Sequence, residues 1–144
     1  MQHRTTNLTH AFLFAVLLTT AAATHATAQQ RTTAAAATPG ESLRAARTLY
    51  IAPGRAVEAN YLQYKLLRTD ALADWGISIV EDEQAADLHL AVEQVRLNYI
   101  FRITDPRTST IVVSGKVVAI NDPVAAEFLG TEIIKRMRNV RRLR

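Results

Sequence analysis

The sequence predicts an α+β fold: a two-layer sandwich in which two helices cover one face of a five-stranded mixed sheet. Three observations lead there. Five short runs of β-branched or alternating apolar residues lie between Arg47 and Ile120. Two longer segments, Val57 to Asp74 and the stretch after Asp122, carry helical periodicity instead. The resulting order, β-α-β-β-β-β-α, implies one crossover between parallel strands and then an antiparallel meander, with both helices on the same side.

The elements follow in order. Arg47-Thr48-Leu49-Tyr50-Ile51-Ala52 is an apolar run stopped by Pro53-Gly54, hence a strand ending in a turn. Val57 to Asp74 reads as one helix closed by Trp75-Gly76, with glycine at the carboxy-terminal cap. Its apolar side chains form two stripes. Val57, Tyr61, Tyr64, Ala71, Leu72 and Trp75 make one; Ala59, Leu62, Leu66 and Ala73 make the other. Tyrosine tolerates water, so the tyrosine-bearing stripe is the expected open one. Ile77-Ser78-Ile79-Val80 is a second strand, and the polar Glu81 to Ala86 forms one helical turn. Asp87 to Arg96 alternates, with Leu88, Leu90 and Val92 inward; Tyr99, Phe101 and Ile103 face inward on the next strand. Asp105-Pro106-Arg107-Thr108 is a turn with proline at its second position. Ile111 to Ile120 is the last strand. Asp122 then caps a helix with Pro123 at its first position, and Ala126, Leu129, Ile133, Met137 and Val140 share one face of it.

The chain has 144 residues, 49% of them hydrophobic and 21% charged. That suits one ordinary domain and excludes a wholly disordered chain. There is no cysteine, which excludes disulfides, thiolate chemistry, iron–sulfur clusters, Cys-rich zinc sites and a lipidated amino-terminal Cys. Residues 1–28 read as a secretory signal. Arg4 supplies positive charge, Ala11 to Leu18 is an apolar core, and Ala26-Thr27-Ala28 suits cleavage after Ala28. The apolar stretch from Ala11 to Ala23 covers 13 residues. A membrane-spanning helix needs ~20. Residues 29–42, with no large apolar side chain, read as a disordered tether, and 43–144 as a single α+β domain.

Charge is concentrated at one end. Without Arg4 the chain carries 16 Lys and Arg against 13 Asp and Glu, and six of those cations lie between Ile133 and Arg144, where there is no acid. The basic balance therefore comes from the tail. It suits an acidic protein surface or an anionic lipid surface, or simply complements the helix macrodipole. Nucleic acid is not expected as a partner, because no aromatic side chain follows Phe128 to stack on bases.

No catalytic constellation stands out. His89 is the one histidine after the signal, and about 13 Å separates it from Glu93 on the same strand face at ~3.3 Å per residue. Ser114-Gly115-Lys116 lacks the glycine and the hydroxyl residue of a phosphate loop, since Thr110 and Val117 stand at those positions. Glu81-Asp82-Glu83 is the only carboxylate cluster, placed in a polar turn. No metal, cofactor or catalytic residue is expected. A small-ligand or hydrolytic alternative would use Glu81, Asp82 and His89.

The step Gln84-Ala85-Ala86-Asp87-Leu88-His89-Leu90, the Asp105-Pro106-Arg107-Thr108 turn and the final amphipathic helix give a resemblance. Over about Arg47 to Val140 the chain resembles small bacterial envelope domains. These are the amino-terminal domain of the Tol-Pal translocation protein and the curli-secretion lipoprotein fold. The resemblance implies an assembly or scaffold role in the periplasm, without the lipid anchor of the lipoprotein members. The expected function is thus a non-enzymatic binding or assembly module of the cell envelope, exported to the periplasm or beyond. An envelope protein is its expected partner. The alternatives are the small-ligand reading and anionic membrane-surface binding. Candidate contact residues are Tyr61, Tyr64, Lys135, Arg138, Arg141, Arg142 and Arg144. If the export reading holds, mass spectrometry of the chain secreted by a bacterial host finds Gln29 as its first residue; a product that keeps Met1 refutes it.

Overall fold

The computed structural model describes residues 37–143. In chain order the elements are α1 (Pro39–Ala45), β1 (Thr48–Ile51), α2 (Ala59–Leu67), α3 (Ala71–Asp74), β2 (Ser78–Val80), a single 3₁₀ turn (Glu83–Ala85), β3 (Leu88–Val95), β4 (Asn98–Asp105), β5 (Thr110–Val118) and α4 (Asp122–Arg142). The expected signal and residues 29–36 of the expected tether lie outside the described residues. Among the described residues no helix is long and apolar enough to cross a membrane.

The strands form one mixed sheet in the order β2-β1-β3-β4-β5. β1 pairs in parallel with both β2 and β3, and β3, β4 and β5 make an antiparallel meander. The α+β sandwich expected from the sequence is the fold. Alternation decides the faces. Leu49, Ile51, Leu88, Leu90, Tyr99, Phe101 and Ile103 point to the helices and are buried in one core with Leu62, Leu66, Leu72, Leu129, Ile133 and Met137. The other face shows half-exposed or exposed residues, among them Tyr50, His89, Ala91, Glu93, Ile100, Arg102 and Lys116.

Four details depart from the sequence reading. First, residues 39–42 are helix, not tether. Thr38 and Glu41 close a reciprocal capping box, with Glu41 N donating to Thr38 Oγ1 at 3.3 Å and Thr38 N donating to Glu41 Oε2 at 2.8 Å. Pro39 starts the helix, and Ser42 and Leu43 are buried. Second, the expected long helix is broken between Leu67 and Ala71. Thr69 Oγ1 donates to the Leu66 carbonyl at 2.8 Å, and Asp70 takes the left-handed conformation at φ 41°. The break re-aims the chain, so Leu62 and Leu66 of α2 and Ala71 and Leu72 of α3 all reach the core. Third, Asn121 caps α4, accepting from Val124 N at 3.1 Å, and Asp122 is the first helical residue. Fourth, β4 and β5 shift register at Ile103/Thr104. The extra residue, Val112, is buried beside Val113 as a bulge. The turn at Gly76 is as expected: Gly76 N and Ile77 N donate to Ala73 and Leu72 carbonyls, and Gly76 has φ +66°.

Gly115 sits opposite Phe101 across the β4–β5 pair. A Cβ at Gly115 would lie 2.7 Å from two carbons of the buried Phe101 ring. The glycine exists to let that ring lie across the strand. Gly115→Ala is therefore expected to destabilise the fold by about 1–3 kcal/mol through overpacking. Urea unfolding checks it; an unchanged midpoint would show that the ring can move aside.

Candidate interaction surface

Tyr61 and Tyr64 lie on the outward side of α2, 38% and 55% exposed. The tyrosine-bearing stripe is open within α2; its Ala71 and Leu72 are buried, because the helix break turns them inward, and Val57, which precedes α2, is buried as well. The Lys65 ammonium stands over both rings, 5.2 Å from the Tyr61 centroid and 5.9 Å from that of Tyr64. The Arg68 guanidinium is 5.9 Å from the Tyr64 ring. Lys65 also pairs with Glu127 of α4, which raises the ammonium's pKa and lowers the carboxylate's. The helices approach closely here because Gly130 has no Cβ: one would meet Lys65 Cβ at 3.1 Å. Leu67 extends the exposed apolar surface of α2. Beside Tyr61, a hollow of about 440 Å³ is lined by Val57, Glu58, Asp122 and Pro123.

The six tail cations do not act alike. Lys135 and Arg136 fold back onto Glu132, at 3.3 and 2.7 Å, and lower its pKa. Arg138 and Arg142 are exposed. Arg141 turns inward: Nη1 donates to the Leu43 carbonyl at 2.9 Å, and the guanidinium lies 5.3 Å from the Trp75 ring centroid. Burial pushes its pKa down, and Arg44 and Arg47 push it the same way. Arg144 lies outside the described residues.

Of the acidic turn only Glu83 meets His89, with Oε1 3.6 Å from Nδ1; Glu81 and Asp82 do not join them. Asp82 Oδ1 accepts from Gln84 N at 2.9 Å and caps the 3₁₀ turn. His89 Nε2 bonds the Glu83 carbonyl at 3.0 Å, with its ring edge-on to Tyr50. It lines a hollow of about 550 Å³ with Glu83, Asp87 and Arg107, whereas Glu81 lines a separate one with Tyr50 and Val80. Tyr99 is buried, its hydroxyl donating to Asp122 Oδ1 at 2.7 Å. Glu93 pairs with Arg102. Among the described residues no three His, Cys, Asp or Glu side chains are grouped to hold a metal ion. Ser114-Gly115-Lys116 runs along the middle of β5.

Asp87 is the residue whose weight sequence reasoning missed. Its Oδ2 accepts from Arg47 N at 2.8 Å, and from Thr48 N and Thr48 Oγ1 at 3.2 Å. Its own N–H donates to Thr48 Oγ1 at 2.8 Å. Arg107 adds an ion pair at 3.8 Å and more closely engages the buried Asp105. The donated Arg47 amide, first, and the Thr48 groups hold the Asp87 carboxyl below the usual range; Arg107 does so for Asp105. A second missed surface lies at the end of the sheet that holds the β3–β4 turn, where Val95, Leu97 and Val118 are all exposed. Alternation alone gave no sign that these strand ends stay uncovered.

No protein-family model, curated protein or solved structure matches this chain.

Because both carboxyls titrate lower folded than unfolded, their stabilisation is complete above the ordinary carboxylate pKa, about 4, and is lost as pH falls through and below it. Asp87→Asn is expected to cost about 1–3 kcal/mol at pH 7, the scale of hydrogen bonds to a charged group. The gap from wild type then narrows toward pH 3. Chemical denaturation across that range checks it, and a gap independent of pH would refute the assignment.

Proposed function

We propose that this chain is an exported, non-enzymatic binding or assembly module of the bacterial cell envelope, and that α2 carries its protein contact. The observation behind this reading is the outward group of Tyr61, Tyr64 and Leu67, with Lys65 and Arg68 set against the rings. Rigid aromatic area with adjoining cations is the chemistry in which interface energy concentrates. The export signature and the resemblance to envelope scaffold domains support the compartment. The partner is an envelope protein.

A second reading, binding of an anionic membrane surface by the basic helix, has its own support in the outward Arg138 and Arg142. Each cation near such a surface contributes roughly 1 kcal/mol, screened by salt. The small-ligand reading around Glu81, Asp82 and His89 has less support, because Glu81 and His89 line different hollows.

Crosslinking of the chain in its own envelope, followed by mass spectrometry, is expected to return one dominant protein. Tyr64→Ala combined with Leu67→Ser should abolish that crosslink while leaving the melting temperature nearly unchanged. Retention of the same crosslink by the double variant would refute α2 as the contact.

A further inference from the structure

The short helix α1 lies against the carboxy-terminal turn of α4. A Cβ on Gly40 would stand 3.1 Å from the carbonyl oxygens of both Val140 and Leu143, so the α1 backbone rests directly on the last turn of α4. Three arginines gather at this junction. Arg44 Nη1 donates to the carbonyls of Arg141 and Leu143, at 3.0 and 2.9 Å. Arg141 Nη1 returns a bond to the Leu43 carbonyl. Arg47 Nη1 donates to the carbonyls of Arg44 and Ala46, at 3.2 and 3.0 Å.

Each guanidinium thus uses one nitrogen, the same one. Each has five N–H donors, three of them on Nε and Nη2. That edge is the one that grips a carboxylate or phosphate in two parallel bonds. Among the described residues it has no partner on any of the three. The nearest acids are engaged elsewhere: Glu41 closes the Thr38 capping box, and Asp87 takes the Arg47 and Thr48 amides. The Trp75 ring, its centroid 5.3 Å away, gives Arg141 a further cation–π contact. Three positive charges are thus held at Nη1 by carbonyls and, among the described residues, carry no partner at Nε or Nη2.

We propose that Arg44, Arg47 and Arg141 form a binding site for a phosphate-bearing anion, either a soluble phosphate or the phosphate of a lipid headgroup. This goes beyond the protein-contact reading and does not rest on it, since α2 contributes no residue. It also differs from diffuse attraction by the tail, because two of the three arginines lie outside the tail.

The test uses the full chain with inorganic phosphate and pyrophosphate, followed by isothermal titration calorimetry and by the arginine Nε–H resonances. Co-sedimentation with phosphatidylglycerol vesicles, against phosphatidylcholine vesicles, is the second arm. Arg47→Gln is the informative variant: its side chain is exposed and its amide still reaches Asp87. The site predicts a loss of about five-fold or more in affinity for Arg47→Gln, the effect of one charge-assisted bidentate pair. Arg138→Gln, equal in charge, should stay within about two-fold of wild type. Binding of free phosphate without vesicle binding assigns a soluble ligand, and vesicle binding sensitive to Arg47→Gln assigns a headgroup. Equal losses in the two variants, or no binding in either arm, overturn the proposal.

Discussion

The Asp87 carboxylate joins two strands that nothing local would join. β1 and β3 are parallel neighbours at the middle of the sheet, and parallel neighbours have no tight turn to fix their register. Asp87 supplies that constraint by taking the amides of Arg47 and Thr48 at the foot of β1, while Thr48 Oγ1 takes the Asp87 amide in return. The exchange sets Leu49 opposite Leu88 and Ile51 opposite Leu90. A slip of one residue would turn Leu88 and Leu90 from the core to the open face. The meander continues from β3 and the edge strand β2 hangs on β1, so all five strands inherit this register.

The helical layer has a matching constraint. α4 is held at its start by the Asn121 cap and by the Tyr99 hydroxyl on Asp122. Its end is held by the exchange of Arg44 and Arg141 with the carbonyls of the opposite helix. Between these ends, Gly130 admits α2 and the Lys65–Glu127 pair fixes it. Some of the cations that look like a solvated run in the sequence are therefore construction. Arg141 closes a helix junction, Arg136 and Lys135 brace Glu132, and only Arg138 and Arg142 of the described tail point freely outward.

Periodicity made most of the fold legible. Leu88, Leu90, Tyr99, Phe101, Ile103 and the Ala126, Leu129, Ile133, Met137 face of α4 are buried where alternation and helical spacing place them. What escaped were features that depend on single side chains meeting at a distance in sequence. α1 has Leu43 as its one large apolar residue, so its burial is decided by α4 and β5, which no local pattern reports. The break after Leu67 comes from one threonine hydroxyl competing for the Leu66 carbonyl. Arg44 and Arg47 drew no attention because the partners of their side chains are carbonyls, and every stretch of sequence has those. The two tyrosines were legible as an outward stripe, since an aromatic stripe opposite Leu62 and Leu66 has no second sheet to cover it.

The arginine junction also bears on how the fold tolerates its own charge. Burial first, and then the like charges of Arg44 and Arg47, lower the pKa of Arg141, so the cluster carries a repulsive component. Helix carboxy termini carry the negative end of the macrodipole, and each cation placed there gains roughly 0.3–1 kcal/mol. At this junction carbonyls of the last turns of α4 and α1 take N–H groups of all three guanidinium groups and so offset part of the repulsion. An oxyanion bound to the free edges neutralises what remains. It binds the native state alone, because only folding brings Arg44 and Arg47 to Arg141 across nearly a hundred residues of sequence. Its binding energy is then added to folding in proportion to RT ln(1 + [L]/Kd). The junction so couples the seating of α1 on α4 to the anion content of its surroundings.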